Sequence, residues 1–437
     1  MTDASIWSAL RQAQPCFWAN PNRISHDAVH DKAQNDESRP MLPSEQQLQA
    51  ARQRFARFAP LLAHLFPPLR ESQGQITSPL IAVPALQDVL SFPRAHGQLM
   101  IKADHCLAVA GSVKARGGFH EILELSEKLA DKHGLLGPNA DVLDLATQRS
   151  RAVFSTYQVA VGSTGNLGMS IGLIAAALGF RATVHMSHDA KAWKKQRLRD
   201  NGVEVLEHSG DYALAVAAGR ESARHDPQTH FVDDEQSLSL LLGYACAAFE
   251  LQSQLQAQRI RVDAAHPLMV YIPCGVGGAP AGIAWGLDLV FGAHVRCYFA
   301  EPCQAPCFML HMVSPAGTQP SVYDFGLQNR TIADGLAVAQ ASALAGALMQ
   351  DRLAGCFTVA DDTMLRHLAL AHASEGLQLE PSATAGFDGP AWLAQTQQLH
   401  PDCTHVLWTT GGAVMPEAQF AQLLDQAATL PHHPSQP

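Results

Sequence analysis

The sequence predicts an α/β protein with two parallel-sheet domains, and three observations carry that prediction. Apolar runs of strand length alternate with helix-length segments over most of the chain. The alternation falls into two sets that meet near residue 235. Glycine-rich turns follow several of the apolar runs, where the strands of an open parallel sheet hand over to helices.

Taken in order, residues 1–40 are polar and irregular and read as an N-terminal extension wrapped onto the body. Ser44-Glu45-Gln46-Gln47 is a capping box. It opens an amphipathic helix with Leu48, Phe55, Phe58 and Leu62 on one face. After Pro67-Pro68, short apolar runs end in the strand Leu99–Ala103. Ala152-Val153-Phe154-Ser155 reads as the next strand, followed by a glycine-rich turn and a helix through Ala177. Ala182–Met186, Val203–Leu206 and His230–Val232 are strands, separated by helices over Ala190–Asp200 and from an Asp211 cap to Ala223. A single long helix is expected over Leu238–Ala257, then strands at Leu268–Ile272, Val295–Phe299 and His405–Trp408. The expected division is a large domain of residues 41–110 plus 236–430, a small domain of 111–235, and a disordered tail of 431–437. A ligand cleft is expected between the two domains, at the carboxyl ends of the strands.

Composition narrows the function. Of 437 residues, 47% are hydrophobic and 16% charged, as in a soluble globular enzyme. A formal charge of -10 argues against a nucleic-acid or anionic-membrane partner. The cationic run Lys191–Arg199 reads as the solvent face of a helix. Met1–Pro15 has no signal-peptide pattern, and no apolar run reaches membrane-spanning length. Nine cysteines in irregular spacing point to a reducing compartment, hence the cytoplasm. Cys297, Cys303 and Cys307 cluster without a CxxC pair and read as core or loop residues. His105, His185 and His188 read as structural or solvated.

Four stretches can carry chemistry. Ser112-Val113-Lys114-Ala115-Arg116-Gly117-Gly118 sets one lysine in a small-residue turn, where its amine can hold an aldehyde cofactor as a Schiff base. Gly162-Ser163-Thr164-Gly165-Asn166-Leu167-Gly168 runs into a helix start whose free amides and hydroxyls suit a carboxylate; a tight strand–helix turn explains it equally well. In Pro273-Cys274-Gly275-Val276-Gly277-Gly278-Ala279, amides can gather around a phosphate. That loop is neither a P-loop nor the dinucleotide fingerprint. Thr409-Thr410-Gly411-Gly412 ends the last strand, where a hydroxyl can hydrogen-bond a heteroaromatic nitrogen without protonating it; a strand-ending turn is the plainer account.

Together these stretches resemble the tryptophan-synthase-like pyridoxal-phosphate enzymes of fold type II, which include the serine/threonine dehydratases. Phe17-Trp18-Ala19-Asn20-Pro21-Asn22, Ile101–His105, Val109–Gly118, Val232–Glu235, Ala300-Glu301-Pro302, Ala333–Val338 and Leu379–Ala383 look more specifically like the bacterial D-serine dehydratase family. The resemblance covers nearly the whole chain. It implies Lys114 as the lysine joined to pyridoxal 5'-phosphate, Asn166 against the ring hydroxyl, and Ser163, Thr164 and Gly165 on the substrate carboxylate. It further implies Gly275, Val276, Gly277, Gly278 and Ala279 around the phosphate, and Thr410 at the pyridine nitrogen. Ala279 and Ala281 stand where the family typically carries glycine, which makes the phosphate geometry the point to examine.

The implied reaction is β-elimination from D-serine, extending to D-threonine, with release of ammonia. The alternatives are an amino-acid racemase and an L-serine/L-threonine deaminase on the same scaffold. Lys114 serves one face of the substrate, so a D-amino acid brings in a second group; Thr164, with Asp234 beside it, is the candidate. Asp233 reads rather as a loop or capping residue. Glu301 follows a strand and is a candidate ligand for a monovalent or divalent cation, with a surface ion pair as the competing account. The family resemblance implies a monomer acting on a small-molecule amino acid.

Overall fold

The computed structural model describes residues 3–24, 42–137, 141–163, 165–188, 190–209, 212–396 and 399–431. Backbone contacts divide the chain into two compact units. The first comprises 1–42, 78–106 and 248–437; the second comprises 43–77 and 107–247.

In the first unit, seven strands form one sheet in the order β1-β10-β9-β8-β11-β3-β2. They are β1 (Phe17–Ala19), β2 (Leu80–Ala82), β3 (Gln98–Lys102), β8 (Leu268–Pro273), β9 (Val295–Pro302), β10 (Gly355–Val359) and β11 (Thr404–Trp408). The inner strands β10, β9, β8, β11 and β3 are parallel, and the edge strands β1 and β2 run antiparallel. Every residue of β8, β10 and β11 is buried, as continuous apolar runs covered on both faces should be. Tyr271 lies in this core with its hydroxyl 2.8 Å from His405 Nδ1 and its ring stacked on Tyr298.

In the second unit, β4 (Gln158–Gly162), β5 (Arg181–Ser187), β6 (Glu204–His208) and β7 (Thr229–Val232) make a wholly parallel sheet in the order β6-β5-β4-β7. The crossovers are the helices Asn166–Leu178, Ala192–Asp200 and Tyr212–Arg224. Asn166–Leu178 is apolar nearly all round and correspondingly buried. Its Gly168 lets it close on β5, since a Cβ there would lie 2.6 Å from Val184 Cγ1. The capping box at Ser44 is present and opens the helix Glu45–Leu65, with Leu48, Phe58 and Leu62 buried and Phe55 half-buried.

Several sequence expectations change. Ala152–Ser155 is not a strand: it closes the helix Gln148–Phe154, whose start is capped by Thr147, and the strand is Gln158–Gly162. The helix expected over Leu238–Ala257 is two, Leu238–Ala245 and Ala247–Ala257, broken at Cys246. Residues 43–77, 107–110 and 236–247 group with the second unit, whereas the expected division put 41–110 and 236–430 together. Within the N-terminal extension, Asp3–Arg11 is helical and β1 joins the sheet edge. Residues 25–41, Asp211 and residues 432–437 of the tail lie outside the described residues.

Candidate active site

Lys114 begins the helix Lys114–His133, directly after a turn in which Gly111 has φ +61°. Its Nζ donates to Asp234 Oδ2 at 2.7 Å and lies 5.6 Å from the centroid of the buried Tyr244 ring. Glycines fix the helix. A Cβ on Gly117 would lie 2.4 Å from Tyr244 Cζ, and one on Gly118 2.3 Å from Ser170 Oγ. Ser170 Oγ in turn donates to the Lys114 carbonyl at 2.8 Å. On the facing helix, a Cβ on Gly243 would lie 2.7 Å from the Arg116 carbonyl.

Asp234 stands in the turn after β7, and its neighbour Asp233 holds that turn. Asp233 Oδ2 accepts from Arg220 Nη2 at 2.7 Å and Nε at 3.1 Å, while Oδ1 accepts the Glu235 amide. Asp233 thus does the loop work, and Asp234 faces the lysine. Asp234 Oδ1 is buried without a hydrogen-bond partner. So is Ser112 Oγ, two residues before Lys114.

Ser163, at the end of β4, accepts from the amides of Gly165 at 3.0 Å and Gly168 at 2.9 Å. A serine hydroxyl has two acceptor sites and one proton, so this arrangement leaves the O–H to give to an anion. Asn166 opens the following helix and is half-buried. Thr164 lies outside the described residues. The cationic run is not wholly the solvated face expected of it: Lys194 is 3% and Lys195 6% exposed. Lys195 is drawn inward because its Nζ donates to the His188 carbonyl and to Glu207 Oε2, both at 2.6 Å.

In the first unit, β8 runs through Cys274–Gly277 into the helix Gly278–Phe291. Gly277 is the N-cap with φ +107°, and no side chain caps this start. A Cβ at Gly277 would lie 2.6 Å from the Phe308 ring, and one at Gly275 3.1 Å from the Gly335 carbonyl. The loop is tied down by Ser342, whose amide donates to the Val276 carbonyl at 2.8 Å. Pro280 has no N–H, and the Ala281 amide is spent on the Gly277 carbonyl at 2.9 Å. The amides of Gly278 and Ala279 are therefore the first-turn donors for an anion. Neither Ala279 nor Ala281 has positive φ, so the alanines standing in place of glycine leave the amide geometry of a normal helix start.

Thr410 follows β11 at the sheet end and is buried. Its neighbour Thr409 has its hydroxyl 2.7 Å from His105 Nδ1 and 3.1 Å from the Lys102 carbonyl. Burial lowers His105 to about 4, so it is a neutral imidazole and structural as expected. His185 is also buried, stacked on His208 with the ring nitrogens 3.0 Å apart, and His188 is exposed. Glu301, at the end of β9, is fully buried, and accepts the Phe308 amide on Oε1 at 2.7 Å and the Met309 amide on Oε2 at 2.8 Å. Burial pushes its carboxyl up to about 8 against those two bonds. Among the described residues, no group of three or more His, Cys, Asp or Glu could hold a metal ion.

A buried ion cluster escaped the sequence reading. Lys102 Nζ donates to Glu250 Oε1 and the Ser78 carbonyl, both at 2.6 Å, and Asp104 accepts from Ser78 Oγ at 2.6 Å and Trp408 Nε1 at 2.9 Å. The available signal was a lysine inside the apolar run Leu99–Ala103.

Within the first unit, the uncapped helix start with glycines in its loop suits a phosphate. Within the second, a lysine paired to a carboxylate with an unsatisfied buried oxygen suits an aldehyde. Residues 71–411 match the family described as "Pyridoxal-phosphate dependent enzyme". The chain is 54% identical over 445 aligned positions to the probable D-serine dehydratase of Acidovorax ebreus (strain TPSY), covering 98% of each. Its fold is that of diaminopropionate ammonia lyase from Escherichia coli, with TM-score 0.71, 18% identity, and coverage of 94% of this chain and 97% of that one. The same enzyme in complex with D-serine superposes with TM-score 0.69 at 17% identity, covering 94% and 97%. Among the described residues no helix is long and apolar enough to cross a membrane.

Proposed function

The chain belongs to the pyridoxal-phosphate-dependent enzymes, and on that premise we propose that it is a lyase converting D-serine to pyruvate and ammonia, and D-threonine to 2-oxobutanoate and ammonia. The observation that carries the reading is the 2.7 Å contact between Lys114 Nζ and Asp234 Oδ2, beside a second, unsatisfied Asp234 oxygen. It is supported by the name of a relative sharing 54% identity over 98% of the chain. When bound, pyridoxal phosphate makes the Cα–H of an attached amino acid acidic.

The residues divide the remaining work. Lys114 is the attachment point, and Asp234 Oδ2 accepts from its Nζ at 2.7 Å and so orients the amine. Gly275, Val276, Gly277, Gly278 and Ala279 hold the phosphate through main-chain amides at the positive end of a 14-residue helix. Thr410, buried at the end of β11, would hydrogen-bond the ring nitrogen through a neutral hydroxyl that does not protonate it. Asn166 would take the ring hydroxyl, and Ser163 and Thr164 the substrate carboxylate, with the Gly165 amide holding Ser163 Oγ in place at 3.0 Å. With the carboxylate there, the Cα–H of a D-amino acid faces away from the side an L-amino acid presents. Asp234, acting with Thr164, then serves that face.

Glu301 has a second reading. Both its oxygens already accept main-chain amides, which favours a capping carboxylate over a cation ligand. Equal activity in sodium, potassium and magnesium salts is the outcome expected of a cap. We assign the protein to the cytoplasm as a monomer, on its nine unbonded cysteines and the family resemblance.

The deciding experiment measures pyruvate from D-serine and from L-serine with purified holoprotein, with Lys114→Ala as control and chiral analysis of unreacted serine. Pyruvate from D-serine alone is expected. Pyruvate from L-serine alone would make it an L-deaminase, and racemised serine without pyruvate would make it a racemase. The native protein should absorb at about 410–420 nm and bleach with borohydride, and Lys114→Ala should lose that band.

A further inference from the structure

Resting on the assignment of Thr410 to the cofactor's ring nitrogen, we propose that Thr409 is a positioning residue, clamped to the turn after β3 so that the Thr410 hydroxyl is held for that nitrogen. Every residue of the clamp belongs to the first unit. β11 pairs with β3 as far as Trp408 and Lys102. The Thr409 amide carries the pairing one step further, donating to the Lys102 carbonyl at 3.1 Å. The Thr409 hydroxyl lies 3.1 Å from the same carbonyl and 2.7 Å from His105 Nδ1. Trp408 adds a second tie, since its Nε1 donates to Asp104 Oδ2 at 2.9 Å. Asp104 in turn accepts from Ser78 Oγ at 2.6 Å. Trp408, Thr409, Asp104 and His105 are all buried.

The chain is fixed again just beyond Thr410. The Gly411 carbonyl accepts the Glu380 amide at 3.0 Å. Gly412, at φ +141°, packs so closely that a Cβ there would lie 2.5 Å from the Glu380 nitrogen. Thr410 is therefore one residue between two held points at the carboxyl end of β11. A hydrogen bond weakens steeply as its length and angle leave the optimum, so a hydroxyl that must meet one ring atom gains from a backbone that cannot shift. The Thr409 hydroxyl already has two partners inside the protein, so its work is to hold while Thr410 binds. His105 adds no charge to this strand end, because burial lowers it to about 4.

The test is a double-mutant cycle on the full-length protein, read as affinity for pyridoxal 5'-phosphate. Cofactor-depleted wild type, Thr409→Val, Thr410→Val and the double variant are titrated with the cofactor, following the band at about 410–420 nm. Each single variant should bind the cofactor about three- to tenfold more weakly, the worth of one hydrogen bond. The double variant should match Thr410→Val within about twofold, because Thr409 acts through Thr410. Thr409→Ser, which restores the hydroxyl, should bind like wild type. If Thr409→Val does not fold, His105→Leu removes the other half of the clamp and is read in the same cycle. Losses that multiply in the double variant, or a Thr409→Val that binds like wild type, would overturn the clamp and leave the Thr410 assignment standing. A Thr410→Val that binds like wild type, or a wild type that takes up no cofactor, would remove both. If the cycle behaves as expected but D-serine yields no pyruvate, the lyase reading fails and the clamp stands.

Discussion

Asp233 and Asp234 are chemically alike and adjacent, yet they have different work. Arg220 and the Glu235 amide saturate Asp233, whereas Asp234 gives one oxygen to Lys114 and keeps the other unsatisfied. An unsatisfied buried carboxylate oxygen costs stability, and that cost is tolerated where a ligand or proton is to be met. Asp234→Asn keeps the shape and can still hydrogen-bond, but it cannot take a proton. Its kcat/KM on D-serine should fall about 10²–10⁴-fold, and wild-type kcat/KM would remove Asp234 from the mechanism. The lysine and the glycine loops were legible because each breaks a local pattern: a cation in a small-residue turn, and glycines after strands. The burial of Lys194 was not legible. A charge run on a helix ordinarily faces water, and nothing local reveals that Gly165 leaves room for one ammonium.

Helices position the lysine through residues that lack side chains. Gly117 meets the Tyr244 ring, Gly118 meets Ser170, and Gly243 meets the Arg116 carbonyl. Gly117→Ala should destabilise by about 1–3 kcal/mol, because the new methyl overlaps a fully buried ring. It should also lower cofactor content, since the displaced turn is the one that begins with Lys114. Gly137→Ala, whose methyl would meet nothing within 4 Å, is the control and should match wild type in thermal midpoint and absorbance. The sequence placed β3, β5, β6, β7, β8, β9 and β11 within a few residues, because each is a distinct apolar run. It misplaced β4, whose apolar run Val159-Ala160-Val161 is no longer than the Ala152-Val153-Phe154 that ends a helix. It did not name β1, β2 or β10. The first two are three-residue edge strands, held by pairing more than by pattern.

Among the described residues the molecule buries histidines held neutral and a carboxyl, Glu301, that holds its proton, and these shape its response to pH. Burial lowers His105, His120 and His405 from 6.5 to about 4 each. Between those values the unfolded chain binds protons that the folded one refuses, so stability falls as pH drops from 6.5 towards 4. Glu301 acts oppositely: its carboxyl, raised from 4.5 to about 8, keeps a proton that the unfolded chain gives up, and stability falls as pH rises through that window. Three histidines outweigh one carboxyl on the acid side, so the thermal midpoint should be highest near pH 6.5. A midpoint flat from pH 4 to 6.5 would contradict this. At the sheet margin, the three residues Phe17–Ala19 do a job larger than their size. They pair along the outer edge of Gly355–Phe357. Cut the chain after Asn20 and that flat, apolar rung would stand open to any passing strand, a second copy of itself included, so these N-terminal residues act as a guard against self-association.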